Sequence, residues 1–198
     1  MASERVPQVV DVSSAFRCQV RLALADLDRG IEASRTVVTA QYEDEPDEHI
    51  LLRFLAFVLF FDEQLRDSPG WVDAHEPDVR ANDLTGQLAL WVECGLPPMK
   101  RLVSALNRSK SARFVGLFAS PSECDAFRKA VLSEKPRNLE NLEIWLLPAD
   151  FMAQLERVGN RSMTWSATIS DGTLYLDSDG EMLECVPERV VLTGPPLG

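Results

Sequence analysis

The stretch "EPDVRANDLTGQLALWVECG", Glu76 to Gly95, decides how the rest of the chain is read. An acidic turn leads through a polar loop into "QLALWVEC", where Leu88, Leu90 and Val92 share one side and Ala89, Trp91 and Glu93 the other. That period of two marks a strand. The loop between Asp78 and Glu93 suits a hairpin, which returns Glu93 close to Asp78. Paired carboxylates of this kind hold a hard divalent cation, with substrate phosphate and water completing its shell. Glu48, on the helical stripe of Leu52, Leu55 and Leu59, tends to face inward and is a third candidate ligand. Plainer readings stand beside these: Asp78 as a turn former, Glu93 as a solvent-facing acid and Glu48 as a helix-dipole acid.

On the N-terminal side, Phe16 to Leu24 alternates apolar and polar residues, "DLDRG" closes a turn, and "SRTVVTAQY" supplies a second strand. "EDEPDEHILLRFLAFVLFFDEQL" then reads as a helix. Pro46 suits its first turn, and Glu45, Asp47 and Glu48 complement the positive end of the dipole. Its interior is apolar almost all round, as in a helix buried between layers. On the C-terminal side, a helix starts near Pro98, "ARFVGLF" is a strand buried on both faces, and "SPSECDAFRKAVL" is a capped helix. "NLEIWLLP" is a further strand and "ADFMAQLERV" a short helix. Asp-Gly at 171–172 and 179–180 predicts two hairpins in the tail. The order predicts an α/β or α+β domain with two sheets. The chain divides into a tail over 1–13, one domain over 14–190 and a second tail over 191–198.

The net charge of −11 disfavours non-specific attraction to nucleic acid, which rests on phosphate neutralisation. The charge is uneven, however. Residues 100–137 carry nine Lys/Arg against three acids, a segment of +6 that is either a set of solvated helix faces or a basic wall beside an acidic pocket. The four cysteines, at 18, 94, 124 and 185, form no CxxC pair, so zinc is not expected and reduced buried thiols are. No signal peptide is visible, and "ILLRFLAFVLFF" is shorter than the ~20 apolar residues a membrane span needs. The expected location is the cytoplasm. His49 and His75 have no paired Ser, Cys or metal-ligand spacing and read as structural.

"EPDEHILLRFLAFVLFFDEQL", "EPDVRANDLTGQLALWVECGLPPMKR" and "RSMTWSATISDG", with "ADLDRG" and "VPERV" nearer the ends, resemble the bacterial YaeQ family. The similarity runs from about Phe16 to Val190. It implies a variant of the PD-(D/E)XK nuclease fold: a restriction-endonuclease-like mixed sheet flanked by helices, with additional antiparallel strands from the N- and C-terminal segments. It further implies that Asp78 is the Asp of "PD", that Glu93 is the acid of "(D/E)XK", and that Glu48 sits on the core helix that often adds a carboxylate. The implied cofactor is magnesium or manganese, held by Glu48, Asp78 and Glu93. The implied partner is a nucleic acid, met through the basic segment. "Glu93-Cys94-Gly95" replaces acid-X-lysine. In this superfamily the lysine can migrate to the following helix, where Lys100 is the candidate, with Arg101 and Lys110 behind it. Ser104 stands further along that helix where the family pattern leads one to expect a basic residue. Asp83 matches the pattern as a turn acid or as support for the ligands, and the charged turn of Asp26, Asp28 and Arg29 is either a local ion pair or such support. Two functions follow: a metal-dependent nuclease using Asp78, Glu93 and Lys100, or a catalytically inactive descendant with a binding or regulatory role.

Overall fold

Two sheets sandwich one buried helix in the computed structural model, which describes residues 15–73 and 75–197. The tail expected over 1–13 lies outside the described residues. Strands β1 (Phe16–Asp26) and β2 (Ile31–Gln41) form an antiparallel hairpin and feed helix α1 (Asp47–Leu59). Short strands β3 (Arg66–Asp67) and β4 (Val79–Asn82) lead to β5 (Leu88–Cys94). Next come α2 (Met99–Arg108), β6 (Arg113–Phe118), α3 (Pro121–Glu134), β7 (Leu142–Leu146) and α4 (Ala149–Val158). The chain closes with β8 (Ser162–Ser170), β9 (Thr173–Ser178), β10 (Glu181–Cys185) and β11 (Glu188–Val190).

One sheet has the order β10-β9-β8-β1-β2 and the other β11-β7-β6-β5-β4-β3. In the second sheet β5, β6 and β7 are parallel, joined by crossovers through α2 and α3. This is the mixed α/β class expected, with strands from both chain ends added. Most of those added pairings are antiparallel, but β1 and β8 pair in parallel, Gln19 opposite Ser162.

The two-sided apolar character of α1 has its cause here. Leu52, Leu55 and Phe54 pack with Val20, Leu22 and Trp165 of one sheet and with Val92, Val115 and Leu117 of the other, in a single core. The far face of the six-stranded sheet is covered by α2 and α3 through Leu102, Leu106, Phe127 and Val131. Helix α1 was expected to run to Leu65 and ends instead at Leu59. The Asp62 carboxylate accepts from Gln64 N at 2.7 Å, and a turn from Leu65 N to Asp62 O follows, an aspartate motif that competes with helix. Both Asp-Gly hairpins are present, with positive φ at Asp171, Gly172, Asp179 and Gly180, as a type I′ turn requires.

The C-terminal tail is anchored from residue 192 to 197. Buried Arg128 donates to the carbonyls of Leu192 (3.2 Å), Pro195 (2.9 Å) and Gly194, while Leu197 N donates to Asp125 Oδ2 at 2.8 Å.

Candidate functional site

The Asp78–Glu93 hairpin closes as its spacing implies. Asp78 lies just before β4, where its N–H donates to Val92 O at 3.2 Å, and Glu93 lies near the end of β5. Both are buried, at 3% and 0% exposure. Asp78 opens onto a cleft of about 370 Å³ at the N-terminal ends of α1, α2 and α3. Glu48, His49, Trp71, Arg101 and Glu123 line the same cleft, but Glu93 does not.

Asp78 Oδ2 accepts from Cys94 N at 2.8 Å and faces His49 Nε2 at 3.5 Å. The other imidazole nitrogen, Nδ1, lies 2.6 Å from Glu45 Oε1. Glu45 also takes a bond from Arg53 Nη1 at 2.8 Å, and Arg53 reaches Asp67 at 2.6 Å. A buried chain of alternating charge therefore runs from Asp78 to Asp67. Burial pushes the His49 imidazole down, but its bonds to Asp78 and Glu45 outweigh this and raise it to about 9. Burial pushes Asp78 up, and the His49, Cys94 and Arg53 interactions bring it below the usual carboxylate range.

Glu93 is enclosed on every oxygen. Arg101 forks onto it, Nε to Oε1 at 3.1 Å and Nη2 to Oε2 at 2.5 Å, and Trp91 Nε1 donates to Oε1 at 2.8 Å. Arg101 itself is fixed by the carbonyls of Gly70 at 2.6 Å and Asp73 at 3.2 Å. Gly70 cannot be larger, because a Cβ there would lie 2.4 Å from the Pro77 backbone. Burial and the Asp78 charge push Glu93 up to about 7 against the opposing pull of Arg101.

This arrangement does not fit a divalent cation. Such an ion needs free oxygens converging on one point, and the Glu93 lone pairs are directed at Arg101 and Trp91. Among the described residues, no three His, Cys, Asp or Glu side chains converge to hold a metal. The guanidinium stands where a cation would face Glu93.

The expected site residues separate accordingly. Asp78 and Glu93 come together, and Glu48 joins the cleft as a half-buried residue of the α1 first turn. Lys100 is exposed and outside the lining; its neighbour Arg101 is the cation that reaches Glu93. Ser104 is exposed, and Asp83 is a turn acid that accepts from Thr85 N and Gln87 N. Asp26 and Arg29 form their local ion pair, while Asp28 accepts from Asp171 N and Gly172 N at the first tail hairpin. His49 and Glu45 were not expected at the site. Their i,i+4 spacing was visible, but not the burial that makes the pair matter.

Gly95 explains the missing lysine. Its φ is +71°, its N–H donates to Leu117 O at 2.8 Å, and a Cβ would lie 3.6 Å from Glu123 Oε2. A lysine there is strained by the left-handed backbone, so Gly95→Lys is expected to cost about 1–2 kcal/mol in urea unfolding. It is also expected to leave the Glu93–Arg101 pair unchanged.

The segment 100–137 is less basic in effect than in composition. Arg101 and Arg128 are buried and committed to internal bonds, and Arg113 forks onto Glu143 at 2.9 and 3.0 Å. Lys100, Arg108, Lys110, Lys129, Lys135 and Arg137 are exposed. Among the described residues, no helix is long and apolar enough to cross a membrane.

A mixed α/β protein with two sheets about one core helix, and a cleft where three helices begin, is the class these features define. The chain belongs to the YaeQ family: the family described as YaeQ protein matches residues 13–187. It is 33% identical over 162 residues to the uncharacterized protein YaeQ of Salmonella typhi, covering 81% of this chain and 87% of that one. The Escherichia coli K12 protein of the same description is 32% identical over the same shares. Among solved structures, YaeQ protein from Xanthomonas axonopodis pv. citri superposes with a TM-score of 0.78 at 28% identity, over 88% of this chain and 97% of that chain. YaeQ protein from Pseudomonas syringae gives 0.79 at 26%, over 89% and 96%.

Proposed function

We propose that this chain is a catalytically inactive protein on a nuclease-derived fold, with a binding role centred on the cleft. One observation carries this reading: both oxygens of Glu93 are engaged by protein donors, chiefly the Arg101 fork. With three donors on its roughly four acceptor sites and no exposure to solvent, this carboxylate is closed to a metal unless Arg101 moves, and the solvent-facing Lys100 gives no group to steady developing charge. The four free, buried cysteines support a cytoplasmic setting.

The test is cleavage of labelled single- and double-stranded DNA and RNA with magnesium or manganese, comparing wild type with Glu93→Gln and Asp78→Asn. The expected result is no metal-dependent cleavage above the level shared by all three proteins. Cleavage by wild type that both substitutions abolish overturns the proposal. It would establish the second reading, a metal-dependent phosphodiesterase acting on nucleic acid, in which magnesium or manganese displaces Arg101 from Glu93. What favours that reading is the convergence of Asp78 and Glu93 on adjoining strands, together with the exposed cations of α2 and α3.

A further inference from the structure

Two carboxylates in the cleft are unmatched. Glu48 in the first turn of α1 and Glu123 in the first turn of α3 line it together, and among the described residues neither has a hydrogen-bond or ion-pair partner from another side chain. The cations beside them are already committed. His49 lies between Glu45 and Asp78, and Arg101 is held by Glu93 and two carbonyls.

A second observation comes from the floor of the cleft. Asp78 is 97% buried and lines it, yet both of its close contacts, Cys94 N and His49 Nε2, fall on Oδ2. Among the described residues nothing donates to Oδ1. That oxygen is not sealed off either, since among the described residues the one fully enclosed side-chain nitrogen or oxygen without a partner is Arg53 Nε. An acceptor on a buried side chain that opens toward a cavity takes its donor from whatever fills the cavity, water or a ligand.

We propose that this cleft binds an organic cation, an alkylammonium or guanidinium group on an apolar stem, held among Glu48, Glu123 and Asp78 with Trp71 at its side. The proposal rests on the reading of the cleft as a binding site. Trp71 is 39% exposed and packs against His49 with ring centroids 4.8 Å apart, so part of its indole is free to meet a cation and its methylenes. Leu52, Leu96, Pro97 and Pro98 supply apolar walls for the stem. A small hydrated metal ion is a poorer fit, because it keeps its waters and wants oxygens in octahedral array rather than proline and leucine. An anion is poorer still, facing three carboxylates with no uncommitted cation. Burial, with the charges of Glu156 and Glu123, pushes the Glu48 carboxyl up, a strain that a bound cation relieves.

Isothermal titration of the full chain with agmatine and n-butylammonium tests this, with 1-butanol and magnesium chloride alone as comparators. Saturable binding of at least one organic cation is expected. The Glu48→Gln/Glu123→Gln double variant should weaken it at least tenfold, and Glu184→Gln, on distant β10, should leave it unchanged. Both double-variant positions are half-buried, and matching thermal melts will show that their loss is not unfolding. Trp71→Leu provides an independent second variant, expected to weaken binding severalfold. The proposal is overturned if neither organic cation binds, if 1-butanol binds equally well, if the double variant binds like wild type, or if magnesium alone occupies the site. The cleavage assay is separate: absence of agmatine binding with absence of cleavage ends this inference and leaves the inactive-protein reading standing.

Discussion

Replacing Arg101 with methionine is expected to lower the unfolding free energy by about 3–5 kcal/mol at pH 8, the usual result of stripping one member from a buried ion pair. Arg101 and Glu93 are 7% and 0% exposed, so little solvent can reach the carboxylate once the guanidinium is gone. Methionine fills much of the arginine volume, so the loss is electrostatic more than a packing void. It also orphans the Gly70 and Asp73 carbonyls, which adds to the cost. The penalty has an upper bound that depends on pH. Burial and Asp78 already push Glu93 up to about 7, and without Arg101 it rises further, so the variant escapes by taking up a proton. The deficit should therefore shrink between pH 8 and pH 6. The Arg101→Met/Glu93→Gln double variant should recover much of it at pH 8. Urea unfolding of the four proteins at both pH values checks this. A deficit under about 1 kcal/mol at pH 8 would place Arg101 among ordinary surface pairs and remove the observation on which the inactive-site reading depends.

The neighbouring residues Lys100 and Arg101 show where sequence reasoning stops. Both are visible as basic residues after "GLPP", and the helix expected to start near Pro98 begins at Met99, with Pro98 as its N-cap. Successive residues on a helix point about 100° apart, so choosing between them needs the helix phase against the sheet. That phase is set by Leu102 and Leu106 joining a cluster with Phe127, Val131, Ile144 and Val190, residues from segments well beyond the helix. The Asp78–Glu93 approach was legible because a hairpin is local, and the Asp-Gly turns were legible because each fixes its own backbone. The parallel pairing of β1 with β8 joins the two ends of the chain, and no local pattern encodes it. Strand β11, three residues long, is too short to display a period.

Glu45 illustrates the same limit in energetic terms. Among the acids at the start of α1 it reads as one more complement to the helix dipole. In the fold, its carboxylate turns inward, where Tyr42 N, His49 and Arg53 satisfy it. An acid buried to 4% exposure is tolerable only because two cations meet it. Charge at that position therefore serves the interior, and it sets the protonation of the histidine that faces the cleft.

His49 should accordingly give the fold a pH dependence on the alkaline side. Its imidazole is raised from 6.5 to about 9, despite burial, by Asp78 and Glu45. For a base whose folded value lies above its unfolded one, stabilisation is complete below about pH 6.5 and is lost as pH climbs through about 9. The span corresponds to about 3 kcal/mol, taking roughly 1.4 kcal/mol per pH unit of displacement. Other groups titrate nearby, but their signatures differ. Glu93, raised from 4.5 to about 7, removes stability over that lower interval, and the buried thiols act near and above pH 9. A comparison with His49→Gln isolates the imidazole, because those other contributions are common to both proteins to first order. The glutamine amide can still donate to Asp78 or Glu45 but carries no proton to lose. Urea unfolding between pH 6.5 and 9 should therefore show wild type ahead of His49→Gln at the acid end, with the gap closing by about 2–3 kcal/mol across the window. A gap that stays constant would mean that His49 is neutral in the fold. Its unprotonated ring nitrogen would then accept a hydrogen bond from a protonated Asp78 or Glu45 carboxyl, and the charge chain from Asp78 through Glu45 to Arg53 would be broken at its centre.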